Sequence, residues 1–270
     1  MEKNEPVPLH FVEIGRGVPI ILLHGFPLSN VIWNPVAERL QDQARLILPD
    51  LRGHGGSPAP EGAYTMPELA GDVIALMDRL EIKEAIVVGH SMGGYISLAF
   101  ARLYPHRLAG LGLVATQSMA DTVERRQGRY QTAQEVRQRG VVGVAESMAP
   151  RLTAHAELVP LLKELILKTP PAGVIGALQG MAERPDYTEV LADLQIPTVV
   201  VTGDADALIP WERSQEMAAR LPKSILVVIP GSGHVPMLEA PDQVADTLQS
   251  LINKTDLLKS YRTSRSVSKK

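Results

Sequence analysis

Residues 89–94 read Gly-His-Ser-Met-Gly-Gly and contain the Gly-x-Ser-x-Gly spacing that presents a nucleophilic serine on a sharp turn. The apolar and mostly β-branched residues 85–88 precede this turn and predict a strand that is buried on both faces. Residues 95–103 then place apolar side chains at helical spacing. A glycine-rich turn that merely caps a helix is the alternative, but the order of strand, motif and helix favours a nucleophile at Ser91.

A serine hydroxyl is a weak nucleophile near neutral pH, so it needs a base and a group that orients the base. His234 follows the final predicted strand, in a loop that also contains Gly231 and Gly233. Two acids, Asp204 and Asp206, follow the preceding strand. We favour Asp206 because it lies farther beyond the strand end, where the loop can reach a histidine, and Asp204 stays as the alternative.

These groups meet in space if the sheet is parallel. Ser91, Asp206 and His234 each follow the carboxyl end of a predicted strand, and those ends lie along one edge of an open parallel sheet. Their order along the chain, Ser then Asp then His, is the order expected for a hydrolase of this topology. The sequence therefore predicts a Ser-His-Asp triad at this edge.

Backbone N–H groups near the predicted nucleophile complete the site. The N–H of Met92 lies at the start of the helix after Ser91, where partial positive charge can receive a developing oxyanion. The N–H of Phe26, in the turn at residues 24–27, is expected to point into the space above a strand end. His24 and His90 each precede one of these positions, and we predict supporting roles for both.

Apolar runs predict the strands that must position these groups. They lie at residues 9–14, 19–23, 44–48, 85–88, 108–115, 196–201 and 224–229. Helical patterns alternate with most of these strands, which predicts an α/β fold with a parallel sheet. Thr65 and Glu68 form a predicted capping box, Asn34 is a predicted helix cap, and Asp50 and Arg52 are predicted to hydrogen-bond the backbone of their own loop.

The alternation stops between residues 117 and 195. Only helical patterns occur there, at residues 122–139, 142–148, 158–167 and 174–182. An all-helical insertion between two sheet strands predicts a cap over the carboxyl edge. We therefore predict a core of residues 1–116 and 196–258, a cap of residues 117–195, and a disordered basic tail at residues 259–270, which contain five basic and no acidic residues.

Composition argues against other classes of function. Lys and Arg number 27 against 30 Asp and Glu, so the net charge of −3 gives no electrostatic case for nucleic-acid binding. The apolar runs are far shorter than the ~20 residues of a spanning helix. Residues 1–6 lack the features of a secretory signal, so we predict a cytoplasmic protein without membrane contact. The absence of cysteine excludes disulfides, a thiol nucleophile and cysteine-ligated zinc. The oligomeric state is not indicated.

Together these motifs resemble those of the α/β-hydrolase superfamily. The resemblance covers residues 24–27, 50–57, 89–94 and 231–234, with Gly203, Asp206 and Pro210. It implies a mostly parallel, doubly wound sheet of about eight strands, an acyl-enzyme intermediate, an oxyanion hole from the N–H groups of Phe26 and Met92, and no cofactor or metal. Haloalkane dehalogenases and epoxide hydrolases look similar but use an aspartate nucleophile, which Ser91 argues against. The short amino-terminal end leaves little room for the superfamily's first antiparallel strand.

Within the serine group, the chain is similar to small carboxylesterases and 3-oxoadipate enol-lactonases. The leading prediction is a serine carboxylesterase that cleaves a small-molecule ester. The alternatives are an enol-lactonase for a carboxylate-bearing lactone, a cofactor-free perhydrolase, and a ligand-binding receptor that retains the triad. The residues predicted to line the substrate pocket are Met119, Met148, Met181, Leu208 and Val235.

The first predicted helix of the cap leaves the substrate open. It carries Arg125, Arg126 and Arg129 on one side, with Val123, Tyr130 and Ala133 on another. Arginines turned toward the pocket would favour a carboxylate-bearing substrate. Arginines turned toward water would leave an apolar pocket for neutral esters. Charged runs on amphipathic helices are usually solvated, so we favour the second interpretation.

Overall fold

One sheet organises the molecule. The computed structural model describes residues 5–257, and within that range the chain forms seven strands: β1 (Phe11–Gly15), β2 (Val18–Leu23), β3 (Ala44–Pro49), β4 (Ala85–His90), β5 (Leu108–Val114), β6 (Thr198–Gly203) and β7 (Ser224–Ile229). Their order in the sheet is β1-β3-β2-β4-β5-β6-β7. β1 runs antiparallel to β3, and the other neighbours are parallel. The short amino-terminal end thus does leave room for an antiparallel first strand, contrary to the expectation from the sequence. The prediction of a mostly parallel sheet is confirmed, with seven described strands rather than about eight.

Helices connect and cover these strands. Over the same residues they are α1 (Asn34–Leu40), α2 (Met66–Arg79), α3 (Met92–Leu103), α4 (Val123–Arg139), α5 (Val142–Leu152), α6 (Val159–Leu167), α7 (Pro171–Ala182), α8 (Thr188–Asp193), α9 (Trp211–Arg220), α10 (Pro236–Glu239) and α11 (Pro241–Lys254). Short 3₁₀ helices occupy Asn30–Trp33, Pro105–Arg107 and Ala156–Leu158. None of the helices found in residues 5–257 has the length and apolar character needed to cross a membrane.

The central strands are apolar because both faces of the sheet are covered. Every residue of β4 is buried, as expected for a parallel strand with a helix layer on each side. Helix α1 packs against α11, and α2 packs against α3. The connection through α1 steps along the sheet toward β1, whereas the connections through α2 and α3 step toward β7. Because crossovers between parallel strands are right-handed, the two helix pairs lie on opposite faces of the sheet.

The helix ends agree only in part with the predictions from the sequence. Thr65 and Glu68 form the predicted capping box at the start of α2. Asn34 was expected to cap its helix, but it is the first residue of α1, because a 3₁₀ turn at Asn30–Trp33 leads directly into the helix and Trp33 takes the cap position. The short helices α8 and α10 were not predicted, since segments of this length carry little periodic pattern.

The loop after β3 agrees with the prediction for Asp50 but not for Arg52. Asp50 accepts hydrogen bonds from the N–H groups of Asn30 and Gly56, both at 2.9 Å, as expected for a carboxylate that shapes its loop. Arg52 instead forms a buried bidentate ion pair with Asp72, with N···O distances of 2.7 and 2.8 Å. The guanidinium is buried, so it requires a charged partner rather than loop carbonyls.

Helices α4 to α8 lie between β5 and β6 in the chain. Helix α4 packs against α7 and α5 packs against α6, whereas α8 contacts α3 and α9. The predicted tail at residues 259–270, with residue 258 of the predicted core, lies outside the described residues.

Candidate active site

Ser91 occupies a strained turn at the carboxyl end of β4. Its backbone has φ 52° and ψ −112°, a conformation that a residue with a side chain rarely adopts. A Cβ at Gly89 would overlap the carbonyl oxygen of Gly93, so the turn requires glycine there. The N–H of Ser91 donates to the carbonyl of Val114 on the neighbouring strand β5 at 2.9 Å. The sheet therefore fixes the turn that exposes the hydroxyl.

His234 bridges the serine and an aspartate. Its Nε2 lies 2.9 Å from the Ser91 Oγ, and its Nδ1 lies 2.7 Å from Oδ2 of Asp206. The other carboxylate oxygen of Asp206 accepts from the N–H groups of Leu208 at 2.8 Å and Ile209 at 3.0 Å. An ionised carboxylate only accepts hydrogen bonds, so the Nδ1 of the histidine carries a proton and Nε2 is free to accept one from the hydroxyl.

Asp204, the alternative acid, has a different position. It is exposed, and its Oδ1 accepts from the N–H of Gly231 at 2.6 Å in the loop that leads to His234. The structure therefore brings Asp206, rather than Asp204, to the imidazole.

The histidine loop is also tied to the segment after α5. The N–H of His234 donates to the carbonyl of Leu152 at 3.1 Å. Glu239 joins the same two segments, because its carboxylate accepts hydrogen bonds from both. Its donors are the Ser232 hydroxyl and Gly233 N–H, each at 2.6 Å, the Thr153 hydroxyl at 2.5 Å and the Ala154 N–H at 2.8 Å. Glu239 was not predicted from the sequence, because its position on the short helix α10 gives no catalytic spacing.

The buried histidines around the site are in the neutral form. Burial lowers the pKa of His54 to about 3 and lowers the pKa of His24 below its ordinary value. Burial likewise holds the pKa of His90 well below 6.5, and the nearby His234 adds to that effect. His90 Nε2–H donates to the carbonyl of His234 at 2.7 Å, and His24 Nε2 accepts from the N–H of Leu51 at 2.9 Å. His24 and His90 thus hold the surrounding backbone, which agrees with the supporting roles predicted for them.

The two predicted oxyanion donors lie beside the serine. Met92 begins α3 directly after Ser91, and Phe26 lines the same cavity as the serine. Within residues 5–257, the N–H groups of Phe26 and Met92 find no intramolecular acceptor. Their role as donors to an oxyanion stays a prediction.

A cavity of about 360 Å³ opens above Ser91 and His234. Of the residues predicted to line it, Met148, Met181 and Leu208 do so, and Tyr95 and Leu178 add further apolar surface. Met119 and Val235 do not belong to the wall. Met119 follows β5 toward α9 and lines a separate small cavity with Arg213, whereas Val235 is fully buried in the core.

The prediction that the α4 arginines face water is wrong for Arg125 and Arg129. Arg125 and Arg129 line the cavity, while Arg126 is exposed. Val123, which was expected on the pocket side, is 65% exposed. The helix turns this way because Ala133 and Val136 are its buried residues and α4 packs against α7. Arg151, at the end of α5, also lines the cavity and was missed because the predicted helix ended at residue 148.

A buried aspartate forms ion pairs with arginines near the cavity. The fully buried carboxylate of Asp121 pairs with Arg129, with Arg184 at 2.7 Å and, more distantly, with Arg125 at 3.7 Å. Burial alone would raise the pKa of Asp121, but the hydrogen bond from Arg129 and the charges of Arg129 and Arg184 outweigh burial and lower that pKa. The guanidinium of Arg184 also lies 4.1 Å from the centre of the Tyr95 ring. The acid thus orders the wall without lining it.

The residues described contain no cluster of His, Asp and Glu that could hold a metal ion. The geometry instead provides a hydroxyl, a base, an orienting acid and N–H donors around one cavity. This arrangement can transfer an acyl group to the serine and then to water.

Comparison with known proteins finds esterases of the same fold among the similar chains. Residues 18–241 match the family model described as the alpha/beta hydrolase fold. The solved structure of a thermophilic esterase from Thermogutta terrifontis superposes with a TM-score of 0.89 and 41% identity, covering 92% of this chain and 94% of that one. A pimeloyl-[acyl-carrier protein] methyl ester esterase of Xanthomonas campestris pv. campestris (strain B100) is 32% identical, covering 90% of this chain and 98% of the relative. The dihydrolipoyllysine-residue acetyltransferase component of the acetoin cleaving system of Pseudomonas putida is 33% identical, covering 91% of this chain and 67% of the relative.

Proposed function

Since the chain belongs to the α/β-hydrolase fold family and is an esterase-type hydrolase, we propose that it cleaves small carboxylic esters through an acyl-enzyme on Ser91. The observation that carries this proposal is the unbroken line of contacts from Asp206 through His234 to the Ser91 hydroxyl, at distances of 2.7 and 2.9 Å. That line ends in the cavity, where a substrate carbonyl can reach the hydroxyl.

Acylation begins when the Ser91 Oγ attacks the carbonyl carbon of the ester and His234 Nε2 takes the hydroxyl proton. The carbonyl oxygen becomes an oxyanion, which accepts hydrogen bonds from the N–H groups of Phe26 and Met92. The tetrahedral intermediate then collapses: the bond to the alcohol oxygen breaks, and His234 returns its proton to the departing alcohol. The Asp206 carboxylate stabilises the imidazolium and fixes its tautomer throughout.

Deacylation repeats these steps with water. His234 takes a proton from a water molecule whose oxygen attacks the acyl carbon, and the proton then returns to the Ser91 Oγ as the acid is released. We propose that helices α4 to α7 act as the cap over this reaction, because residues from α4, α5 and α7 line the cavity above the serine. Such a cap orients the acyl group and limits the access of bulk water.

Lactone hydrolysis is a second candidate function. A lactone is a cyclic ester, so the same steps open its ring and the alcohol stays attached to the acid. Arg125 and Arg151 favour this candidate, because their position on the cavity suits a lactone that carries a carboxylate.

The proposed function is tested by a hydrolysis screen over short-chain and long-chain p-nitrophenyl esters and simple lactones. We expect the wild-type protein to cleave members of this panel and Ser91→Ala to lose activity by a factor on the order of 10⁶, because the nucleophile is removed. Circular dichroism checks that the variant is folded. A folded Ser91→Ala protein with near-normal turnover would contradict the proposal.

A further inference from the structure

The cavity above Ser91 has a positively charged wall. Among the described residues that line it, Arg125, Arg129 and Arg151 carry a charge, and none is Asp or Glu. Building on the proposed esterase function, we propose that the substrate bears a second, ionised carboxylate, and that Arg125 and Arg151 bind this group. The scissile bond and the carboxylate then occupy two ends of one small molecule within the same cavity.

The arginines of the wall are not equally available. Arg129 is hydrogen-bonded to the buried Asp121 and also donates to the Met181 sulfur at 3.4 Å, and its side chain is only 14% exposed. Its guanidinium is therefore engaged within the protein, and its role is to shape the wall. Arg184 shares the same acid and is fully buried, so it is out of reach of a ligand.

The guanidinium of Arg125 keeps N–H donors available for a ligand. Its Nε is 3.7 Å from the Asp121 carboxylate, beyond hydrogen-bond distance, and its side chain is 39% exposed. One terminal nitrogen donates to the carbonyl of Leu208 at 3.3 Å. Since the N–H of Leu208 bonds to Asp206, this contact holds the Arg125 guanidinium beside the loop that carries the proposed catalytic acid.

Arg151 is still less compensated. No carboxylate of residues 5–257 lies within ion-pair distance of its guanidinium, although the side chain lines the cavity. The next residue, Leu152, accepts the backbone hydrogen bond of His234 at 3.1 Å. The helix end that carries Arg151 is therefore tied to the histidine loop through its backbone, whereas the Arg125 side chain itself contacts the aspartate loop.

An anionic ligand completes this wall better than a neutral one. A neutral acyl chain in the cavity would displace water from the guanidinium groups without replacing their hydrogen bonds, which is unfavourable. A carboxylate matches the planar, two-pronged donor geometry of arginine and restores charge balance. The apolar part of the molecule can pack against Met148, Met181 and Leu178, which line the same cavity.

The test compares two substrates that differ only in charge. The first is the monomethyl ester of adipic acid, and the second is methyl adipamate, in which a carboxamide replaces the free carboxylate. Methanol release gives kcat/KM for each. We expect the wild-type protein to favour the acid over the amide by about tenfold or more, as for a charge-assisted hydrogen bond. Because the carboxylate is remote from the reacting carbonyl, we expect the preference mainly in KM.

Two double variants assign this preference to the cavity. We expect Arg125→Gln combined with Arg151→Gln to bring the ratio of the two kcat/KM values close to unity. Arg126→Gln combined with Arg137→Gln removes the same charge from exposed positions nearby, and we expect it to keep the wild-type ratio. Thermal unfolding checks that each variant is folded, and Arg151→Gln alone supplies the comparison if the cavity double variant is not.

The outcomes separate the inference from the function on which it rests. If neither substrate is cleaved and the ester and lactone panel also fails, the proposed esterase function is wrong, and this inference falls with it. Equal cleavage of acid and amide by the wild-type protein overturns the carboxylate site while leaving the esterase function intact. A preference that survives in the folded cavity double variant, or that disappears equally in the control, also overturns it.

Discussion

The floor of the cavity and its wall are built by different means. On the floor, Ser91, Asp206 and His234 stand on loops at strand ends, and backbone hydrogen bonds from neighbouring segments hold those loops. The wall consists of helices α4, α5 and α7, whose arginines converge around the buried Asp121 or face the cavity without an acid. The floor contains one carboxylate, that of Asp206, whereas the wall carries excess positive charge.

This difference separates reaction from recognition. Groups that are fixed by the sheet can keep the sub-ångström geometry that proton transfer requires. Arginines on helices reach the cavity through long side chains, so they suit the binding of a charged group better than a chemical step. We therefore expect changes in the floor to abolish turnover, and changes in the wall to alter which substrate is turned over.

The largest loss of activity is expected from a change in the floor. We expect Asp206→Asn to reduce kcat by about 10⁴-fold, because an amide can leave the His234 ring in the wrong tautomer. Asp204→Asn is the matched control two residues away, and its exposed side chain contacts Gly231 rather than the imidazole. Steady-state rates on one ester that the wild-type protein cleaves measure both.

The ranking of these aspartate variants is decisive. A greater loss in Asp204→Asn than in Asp206→Asn would move the acid to Asp204. Equal and small losses would show that neither carboxylate orients the base.

A smaller effect concerns stability and the buried histidines beneath the floor. The pKa of His54 is lowered by burial to about 3 in the folded protein, from the ordinary value of 6.5 that an unfolded chain restores. Between these values the unfolded chain binds the proton and the folded protein does not, so the free energy of unfolding falls as the pH falls through this window. The slope for one such histidine is about 1.4 kcal/mol per pH unit.

His54→Asn tests this directly, because the amide can keep the hydrogen bond to the carbonyl of Arg52 but cannot take up the proton. We expect the variant to lose less stability than the wild-type protein on acidification, as measured by urea unfolding at several pH values within the window. Parallel pH profiles of the two proteins would show that His54 does not contribute.

The difference between the floor and the wall also explains which features could be predicted from the sequence. The spacing of residues 89–94, the glycines around His234 and the apolar strands predicted where the reactive groups stand, because strand ends of a parallel sheet meet at one edge. Short-range patterns could not determine the wall. The orientation of α4 depends on its packing against α7, and only Ala133 and Val136 are buried along that helix.

Other differences have similar causes. The helical pattern predicted at residues 142–148 ends before Arg151, yet α5 continues through Pro150 to Leu152. The strand β1 pairs with β3, although β2 follows it in the chain, because β2 is already paired on both sides with β3 and β4. Such pairings depend on contacts between distant segments rather than on local sequence.

Covalent labelling tests the central claim, that the floor carries its nucleophile at Ser91, most directly. A fluorophosphonate is attacked by an activated serine, which forms an O–P bond and releases fluoride. Mass spectrometry of the digested protein then locates the adduct while ester hydrolysis is followed in parallel. We expect one adduct on Ser91, loss of activity in proportion to its formation, and no adduct in Ser91→Ala. Loss of activity with Ser91 unmodified, or an adduct at another residue that accounts for inactivation, would contradict the account.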